Sequence, residues 1–345
     1  VSGHESVPLI SVVIPNLNGL AHLRRCLPKL MAQEYPRFEV WLVDNASGDG
    51  SVSFVARQFP QVKIIRNDGN LGFATANNVA IRRSAGEYIA TLNNDTAVEP
   101  GWLAALAGAL LAEPDVGMCA SQMLYFSDPP LVDSAGLAVD RAGMAWNLLG
   151  GQPRRADSEP LEVFGPCAGA ALYRRSMLEK IGLFDADFFA YLEDVDLAWR
   201  ARLAGWRCLY VPAAVVYHLH SATGGEGSAL KSYLLARNKI WTVVKNYPAP
   251  QVFPHLPLIA FYDLLAYLYR LGRGHGLVAL RGRLDALRKL PLMLQKRRQV
   301  QGTATAAGRR AAWRLMAAAQ APWTIARRER LRQSIRPHNA FWEET

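Results

Sequence analysis

The sequence predicts an α/β domain built on a largely parallel sheet, followed by a basic helical region. Three observations predict it. Between residues 9 and 112, short β-branched runs alternate with stretches whose apolar residues recur at helical spacing. The apolar runs end in short clusters of Asn and Asp, and in open α/β sheets ligands gather beyond the carboxyl ends of the strands. The charge is also divided. Residues 228–345 carry 21 Lys/Arg against 5 Asp/Glu, whereas residues 1–227 carry 18 against 24, within a net charge of +10.

Taken in order, "LISVVIP" (9–15) reads as a buried strand closed by Pro15, and Leu20, Leu23, Leu27, Leu30 and Met31 then follow helical spacing. "FEVWLVDNAS" (38–47) is a second strand that stops at Asp44, "VKIIRN" (62–67) a third and "EYIATLNND" (87–95) a fourth. Helices are predicted between them, around 51–59, 72–84 and 100–112. The strand ends carry Asn16 and Asn18, Asp44 and Asn45, Asn67 and Asp68, and Asn93, Asn94 and Asp95. Turn chemistry explains any one of these pairs, but four together on one sheet edge point to a binding site. Neither G-x-G-x-x-G nor G-x-x-x-x-G-K-[ST] is present, which removes a dinucleotide fingerprint and a P-loop from consideration.

"FFAYLEDVDLAWR" (188–200) sets Glu193, Asp194 and Asp196 after an aromatic run. With a helix starting near Glu193, Leu192, Val195, Trp199 and Leu203 form an apolar stripe. Glu193, Asp196 and Arg200 share another side, where Asp196 and Arg200 would make an ordinary surface pair. Asp194 falls away from both groups on the first turn, where the helix dipole favours a carboxylate.

After residue 226 the strand–helix alternation stops. "SALKSYLLARNKIWTVVKNYP" reads as one amphipathic helix ended by Pro248. "FPHLPLIAFYDLLAYLYRLGRG" (253–274) is interrupted by Pro257 and Asp263 and closes in arginines, so it is expected to lie in a membrane interface rather than to span. Basic clusters beyond it favour an anionic lipid surface, with Trp313 and Trp323 as anchors. A solvated tail or a homo-oligomer interface through these helices are the alternatives. Nucleic acid is not expected, because no groove-reading or base-stacking module is recognisable. Composition is globular, with half the residues hydrophobic and a fifth charged. Cys26, Cys119, Cys167 and Cys208 lie far apart without metal-ligand spacing and read as buried thiols in a reducing compartment. The opening residues show no secretory signal, so a cytoplasmic location at the inner membrane face is expected.

The segments "SVVIPNLNG", "LVDNASGDGS", "NLGFATANN", "TLNND", "CAGAALYRRSMLEKIGLFDADFFAYLEDVDLAWR" and "YHLHSATGG" occur in that order. Together they resemble the family 2 glycosyltransferases of the GT-A fold, and within them the bacterial rhamnosyltransferase-like branch of cell-wall and polysaccharide assembly. The resemblance implies a catalytic domain over 8–225, with a mostly parallel mixed sheet, and a membrane-associating helical region over 226–345. It implies a nucleotide diphosphate sugar donor, first of all dTDP-rhamnose, contacted by Pro15, Asn18, Asp44, Asn45, Ser47, Asp49, Asn70, Gly72, Asn77 and Asn94. It implies Mg²⁺ or Mn²⁺ at Asp95 with His218 and Asn93, the latter standing where the family motif has a second Asp; His220 is a further candidate. Asp194 would be the base of an inverting transfer, with Glu193 as second choice. Trp199, Arg200 and Arg237 would meet a lipid-linked or polysaccharide acceptor, although Trp199 could equally be core and Arg237 and Asn238 could equally pair locally. "GPCAGAALYRR" (165–175) would form a wall of small residues under the sugar, or simply pack tightly. The rivals are a transferase using another sugar nucleotide, a degenerate membrane scaffold, and a nucleotidyltransferase, whose Gly-rich basic loop is not seen in "PNLNGLAHLRR".

Overall fold

The computed structural model describes residues 7–154, 159–219 and 228–335. Strand and helix alternate first: β1 (Ile10–Asn16), α1 (Leu20–Met31), β2 (Phe38–Asp44), α2 (Ser51–Gln58), β3 (Lys63–Arg66), α3 (Gly72–Arg83), β4 (Tyr88–Leu92), β5 (Thr96–Val98) and α4 (Trp102–Ala112). The long β6 (Val116–Tyr125) leads to the short β7 (Val132–Ser134), β8 (Leu137–Val139), β9 (Ala145–Asn147) and β10 (Leu161–Glu162). Then come β11 (Ala170–Arg174), α5 (Arg175–Ile181), α6 (Glu193–Leu203) and β12 (Arg207–His218). The C-terminal region holds α7 (Ala229–Asn246), α8 (Val252–Leu271), α9 (Gly276–Arg288), α10 (Leu290–Thr303), α11 (Ala306–Leu315) and α12 (Pro322–Ser334).

Among the described residues, ten strands form one sheet in the order β10-β12-β6-β11-β4-β1-β2-β3, with β5 on β12 and β7 on β6. β1 runs parallel to β2 and β4, and β2 to β3. β11 is antiparallel to both β4 and β6, so the sheet is mixed. Side chains alternate between two cores, as the period of two requires. Ile10, Val12 and Ile14 of β1 face α1 and α4, whose Leu27 and Trp102 share that core. Val13, Val43 and Ile89 face the opposite side with α3 and α6. Each fully buried Leu, Val or Ile contributes about 1.5–3 kcal/mol, which fixes strand register and with it the alignment of the strand ends.

That second core does not stop at residue 225. Val243 of α7, Tyr247 at its C-terminal cap, Val300 of α10 and Ala312 of α11 all belong to it. The change at residue 226 is one of composition and of secondary-structure type; in packing, the helices continue the same body. α8 also differs from expectation. Pro257 lies inside it without breaking it, and Asp263 accepts from Arg283 Nε of α9 at 2.8 Å. Among the described residues α8 is the one helix long and apolar enough to cross a membrane, by length and composition.

Candidate active site

The first four parallel strands end together. Asn16 lies opposite Asp44 in register, and its Nδ2 donates to Asp44 Oδ1 at 3.0 Å, Ser51 Oγ at 3.0 Å and Ser47 Oγ at 3.1 Å. Asn94 Nδ2 donates to Asn16 Oδ1 at 2.8 Å, so one asparagine ties three strand ends together. Gly19 permits this approach, since a Cβ there would stand 2.2 Å from Asn94 Nδ2 and 2.4 Å from Asn16 Oδ1. Asp44 is fully buried and also accepts from Ser47 N at 2.9 Å. Asp49 accepts from Leu20 N and Ser51 N, and Asn18 accepts from Gly48 N. These three residues and Ser47 therefore fix the loops, while Pro15, Asn45, Asn70, Gly72 and Asn94 line a cavity of about 1240 Å³. Asn77 lies in the interior of α3 with its Nδ2 donating to Phe73 O at 2.9 Å; its place is helix packing rather than the cavity wall.

Asp95, Asn93 and His218 also line the cavity. β12 pairs with β5 so that His218 lies opposite Thr96, bringing its Nε2 within 3.4 Å of Asp95 Oδ1. Its Nδ1 is 2.7 Å from Asp133 Oδ2, a residue of β7 that carries no signal in one dimension. Burial works against protonating His218, but Asp95 and Asp133 outweigh it and hold the imidazolium up to about 10. Among the described residues no three His, Cys, Asp or Glu side chains converge to hold a cation unaided. Asp95 Oδ1, however, is buried without a hydrogen bond. The Asp95 carboxylate beside the space for a diphosphate suits Mg²⁺ or Mn²⁺, which take few protein ligands and complete their shell with phosphate oxygens; His218 would join it by giving up its Nε2 proton. His220 lies outside the described residues.

The acid pair begins α6. Before it, Phe189, Tyr191 and Leu192 all adopt positive φ, at 66°, 67° and 66°. Such conformations cost about 1–3 kcal/mol each in non-glycine residues and persist only when surroundings impose them. The imposing group is on α7. Asn238 Nδ2 donates to Phe188 O at 3.0 Å, Ala190 O at 2.9 Å and Tyr191 O at 2.7 Å, and Arg237 Nη2 donates to Asp187 O and Phe188 O. Arg237 and Asn238 do pair locally, Nε to Oδ1 at 2.9 Å, and Arg237, engaged with the loop and 4.3 Å from the Trp241 ring, is not among the residues that line the cavity. On the other side Gly72, itself at φ +79°, lies so close that a Cβ would be 2.5 Å from Phe189 Cδ2 and O.

Held this way, Glu193 and Asp194 both line the cavity. Asp194 Oδ1 accepts from Val195 N at 2.8 Å and Oδ2 from Ala168 N at 3.3 Å. Burial raises its carboxyl pKa above the ordinary range, in the direction a general base at neutral pH requires. Glu193 is pushed well above its usual range, first by burial and then by the charge of Asp194, and its Oε2 makes no hydrogen bond. The remaining acceptor expectations are corrected by packing. Trp199 is fully buried, edge-on to Phe164 and beside Tyr247. Arg200 donates to Asp196 Oδ2 at 2.9 Å and to the carbonyls of Ile181, Gly182 and Leu183. The Asp196–Arg200 pair is not on the surface: α7 covers it, with Lys245 Nζ at 2.9 Å and Asn246 Nδ2 at 2.8 Å from Asp196. Of the small-residue stretch, Cys167, Ala168 and Gly169 line the cavity, whereas 170–174 is a buried strand of the sheet.

The glycosyl transferase family 2 model matches residues 11–182. A curated relative is the N-acetylglucosaminyl-diphospho-decaprenol L-rhamnosyltransferase of Mycobacterium tuberculosis, 32% identical over 257 residues that span 67% of this chain and 82% of the relative. Among solved structures, GalNAc-T7 with UDP, GalNAc and Mn²⁺ superposes with TM-score 0.57 at 18% identity, covering 70% of this chain and 48% of its own. Staphylococcus aureus TarS residues 1–349 with UDP-GlcNAc superposes with TM-score 0.53 at 17% identity, covering 86% of this chain and 91% of its own. The fold is that of the GT-A transferases, and the chain belongs to glycosyl transferase family 2 and is a transferase enzyme.

Proposed function

We propose that the enzyme moves a sugar, rhamnose from dTDP-rhamnose in the first place, onto a hydroxyl of a lipid-linked or polysaccharide acceptor of the cell envelope, with inversion, at the inner face of the membrane. The observation that carries the reading is Asp194. It is half-buried, held by two backbone N–H groups, and lies on the same cavity as Asp95 and His218.

In this reading Asn45, Asn70 and Asn94 orient the donor, backed by Asp44, Asn18, Ser47 and Asp49, and Cys167, Ala168 and Gly169 leave room for the sugar. Asp194 takes the acceptor proton as the acceptor oxygen bonds to the anomeric carbon, and the bond from that carbon to the diphosphate oxygen breaks with its electron pair on the diphosphate. One displacement gives inversion without a covalent enzyme intermediate. Asp95, with His218 and Asn93, would hold a divalent cation, whose charge would stabilise the departing diphosphate. The rhamnosyl donor is supported by the mycobacterial relative at 32% identity. A membrane surface is supported by α8, on which Phe261, Leu264, Leu268 and Leu271 are exposed.

The test is a thermal-shift panel of nucleoside diphosphates and their sugars, with and without Mn²⁺ or Mg²⁺. A ligand that binds only the folded state raises the midpoint according to its affinity. A metal-dependent shift selective for dTDP-rhamnose is expected. A shift selective for another sugar nucleotide removes rhamnose, and no shift with any nucleotide removes the donor site.

A further inference from the structure

The cavity is larger than one donor needs. At about 1240 Å³ it exceeds the roughly 300–1,000 Å³ usual for a single small-molecule site. Its charge is also segregated. Around the strand ends the wall is acidic, with Asp95, Asp133, Glu193 and Asp194. In the arm between α7, α8, α9 and α12 it turns basic, with Lys231, Lys239, Arg270, Arg283 and Arg328 against Asp263.

Lys239 is the informative member of that arm. It is 8% exposed, and its Nζ makes no hydrogen bond. Among the described residues its ion-pair partner is Asp263, with Oδ1 at 3.6 Å. That carboxylate is already engaged by Arg283, whose Nε donates at 2.8 Å and Nη2 at 3.3 Å. A buried cation and a half-buried one thus share one carboxylate, and burial lowers the pKa of Lys239. A buried ammonium left in this way is stabilised by a further anion.

The rest of the arm is apolar. Trp146, Leu148, Leu234, Leu265 and Tyr269 line it. α8 divides its surface between two tasks. Tyr262, Leu265, Ala266 and Tyr269, at helical spacing, line the cavity, while Phe261, Leu264, Leu268 and Leu271 point outward and are exposed.

We infer that this arm binds an isoprenoid diphosphate, the lipid carrier of the acceptor. The diphosphate would meet Lys239 and Arg283, and the hydrocarbon would run between Trp146 and α8 toward the outer stripe. The inference rests on the reading that the acceptor is lipid-linked, and it assigns that acceptor's anion and chain to named residues.

The test uses the full chain with its preferred nucleoside diphosphate present to fill the donor end, and follows tryptophan fluorescence on titration with farnesyl diphosphate, farnesol and inorganic pyrophosphate. Farnesyl diphosphate is expected to bind more tightly than either of the others. Lys239→Met should weaken it about tenfold or more, as loss of a charge-assisted contact does, leaving farnesol and nucleotide affinity unchanged. Ala266→Trp, which fills the apolar wall, should weaken farnesyl diphosphate and farnesol alike, and Lys239→Arg should restore binding. Farnesyl diphosphate binding no better than farnesol, or no better than pyrophosphate, overturns the inference, as does unchanged affinity in Lys239→Met. Lys239-dependent binding without sugar transfer to any lipid acceptor upholds the site and removes the lipid-acceptor reading. Transfer to a lipid diphosphate with unaltered acceptor KM in Lys239→Met upholds that reading and removes the site.

Discussion

Replacing Asn238 by alanine tests whether a C-terminal helix holds the catalytic loop. Three non-glycine residues of that loop, Phe189, Tyr191 and Leu192, sit at positive φ, a strain of about 3–9 kcal/mol at about 1–3 kcal/mol per residue. Asn238 is fully buried and donates to three carbonyls within the loop. A buried carbonyl deprived of its donor costs about 1–3 kcal/mol. Because Phe188 O keeps Arg237 as donor, two carbonyls, Ala190 O and Tyr191 O, are deprived, and the loss should be about 3 kcal/mol, in the lower half of a range of about 2–6 kcal/mol. At about 2–4 °C per kcal/mol for a chain of 150–250 residues, a somewhat smaller step is expected at this length, so Tm should drop by roughly 5–10 °C. That energy is comparable to the lower end of the strain, so the loop should relax and carry Asp194 with it. Differential scanning calorimetry would measure the first effect, and steady-state kinetics would show kcat falling while donor KM stays. A Tm within 2 °C of the parent (about 1 kcal/mol or less) and an unchanged kcat would refute the argument that α7 imposes the loop conformation.

Three other outcomes follow from the same geometry. Glu193 has its folded pKa raised, first by burial and then by Asp194, so its stabilising contribution is full below the unfolded glutamate value of about 4.3 and is lost as pH rises through the folded value. Glu193→Gln should therefore raise Tm at pH 8 but not at pH 4, and equal shifts at both would contradict the burial cost. Gly72→Ala should cost about 1–2 kcal/mol for the left-handed backbone alone and more for the contact with Phe189, lowering both Tm and kcat; Gly48→Ala, with nothing within 4 Å of its Cβ, is the neutral control. The chain should float with anionic phospholipid vesicles and not with neutral ones, and Leu264→Ser with Leu268→Ser should abolish flotation; equal binding of parent and variant would exclude α8 as the contact.

Part of this arrangement was readable in one dimension because it depends on local pattern. β1, β2, β3 and β4 are short, apolar-rich runs with polar ends; β2, β3 and β4 lie within the spans predicted, and β1 runs one residue past Pro15 to Asn16. β6 was not foreseen. Its sequence, VGMCASQMLY, has little β-branched character, and only its place in the sheet, where all ten residues are buried, makes it a strand. Helix periodicity put Asp194 apart from the apolar stripe of α6, and there it lines the cavity. The same periodicity put Trp199 in the apolar stripe, where it is buried, but it set the Asp196–Arg200 pair on the surface, because spacing tells which residues share a face and not what covers it. α7 and its C-terminal cap cover both Trp199 and the pair, through Tyr247 beside Trp199 and Lys245 beside Asp196. Asp133 and Lys239 were beyond reach for the opposite reason. Each acquires its meaning from a residue distant in sequence, His218 for one and Asp263 for the other.

The most direct test of the central claim is transfer by Asp194→Asn, assayed with the preferred sugar nucleotide and a lipid-linked acceptor, alongside donor affinity of the same protein. The side chain keeps its size and can still accept from Ala168 N, so fold and donor binding should be retained. Without a group to take the acceptor proton, transfer should fall by about 10²–10⁴-fold. Turnover within a few-fold of the parent would contradict the assignment and leave Glu193 as the group to examine.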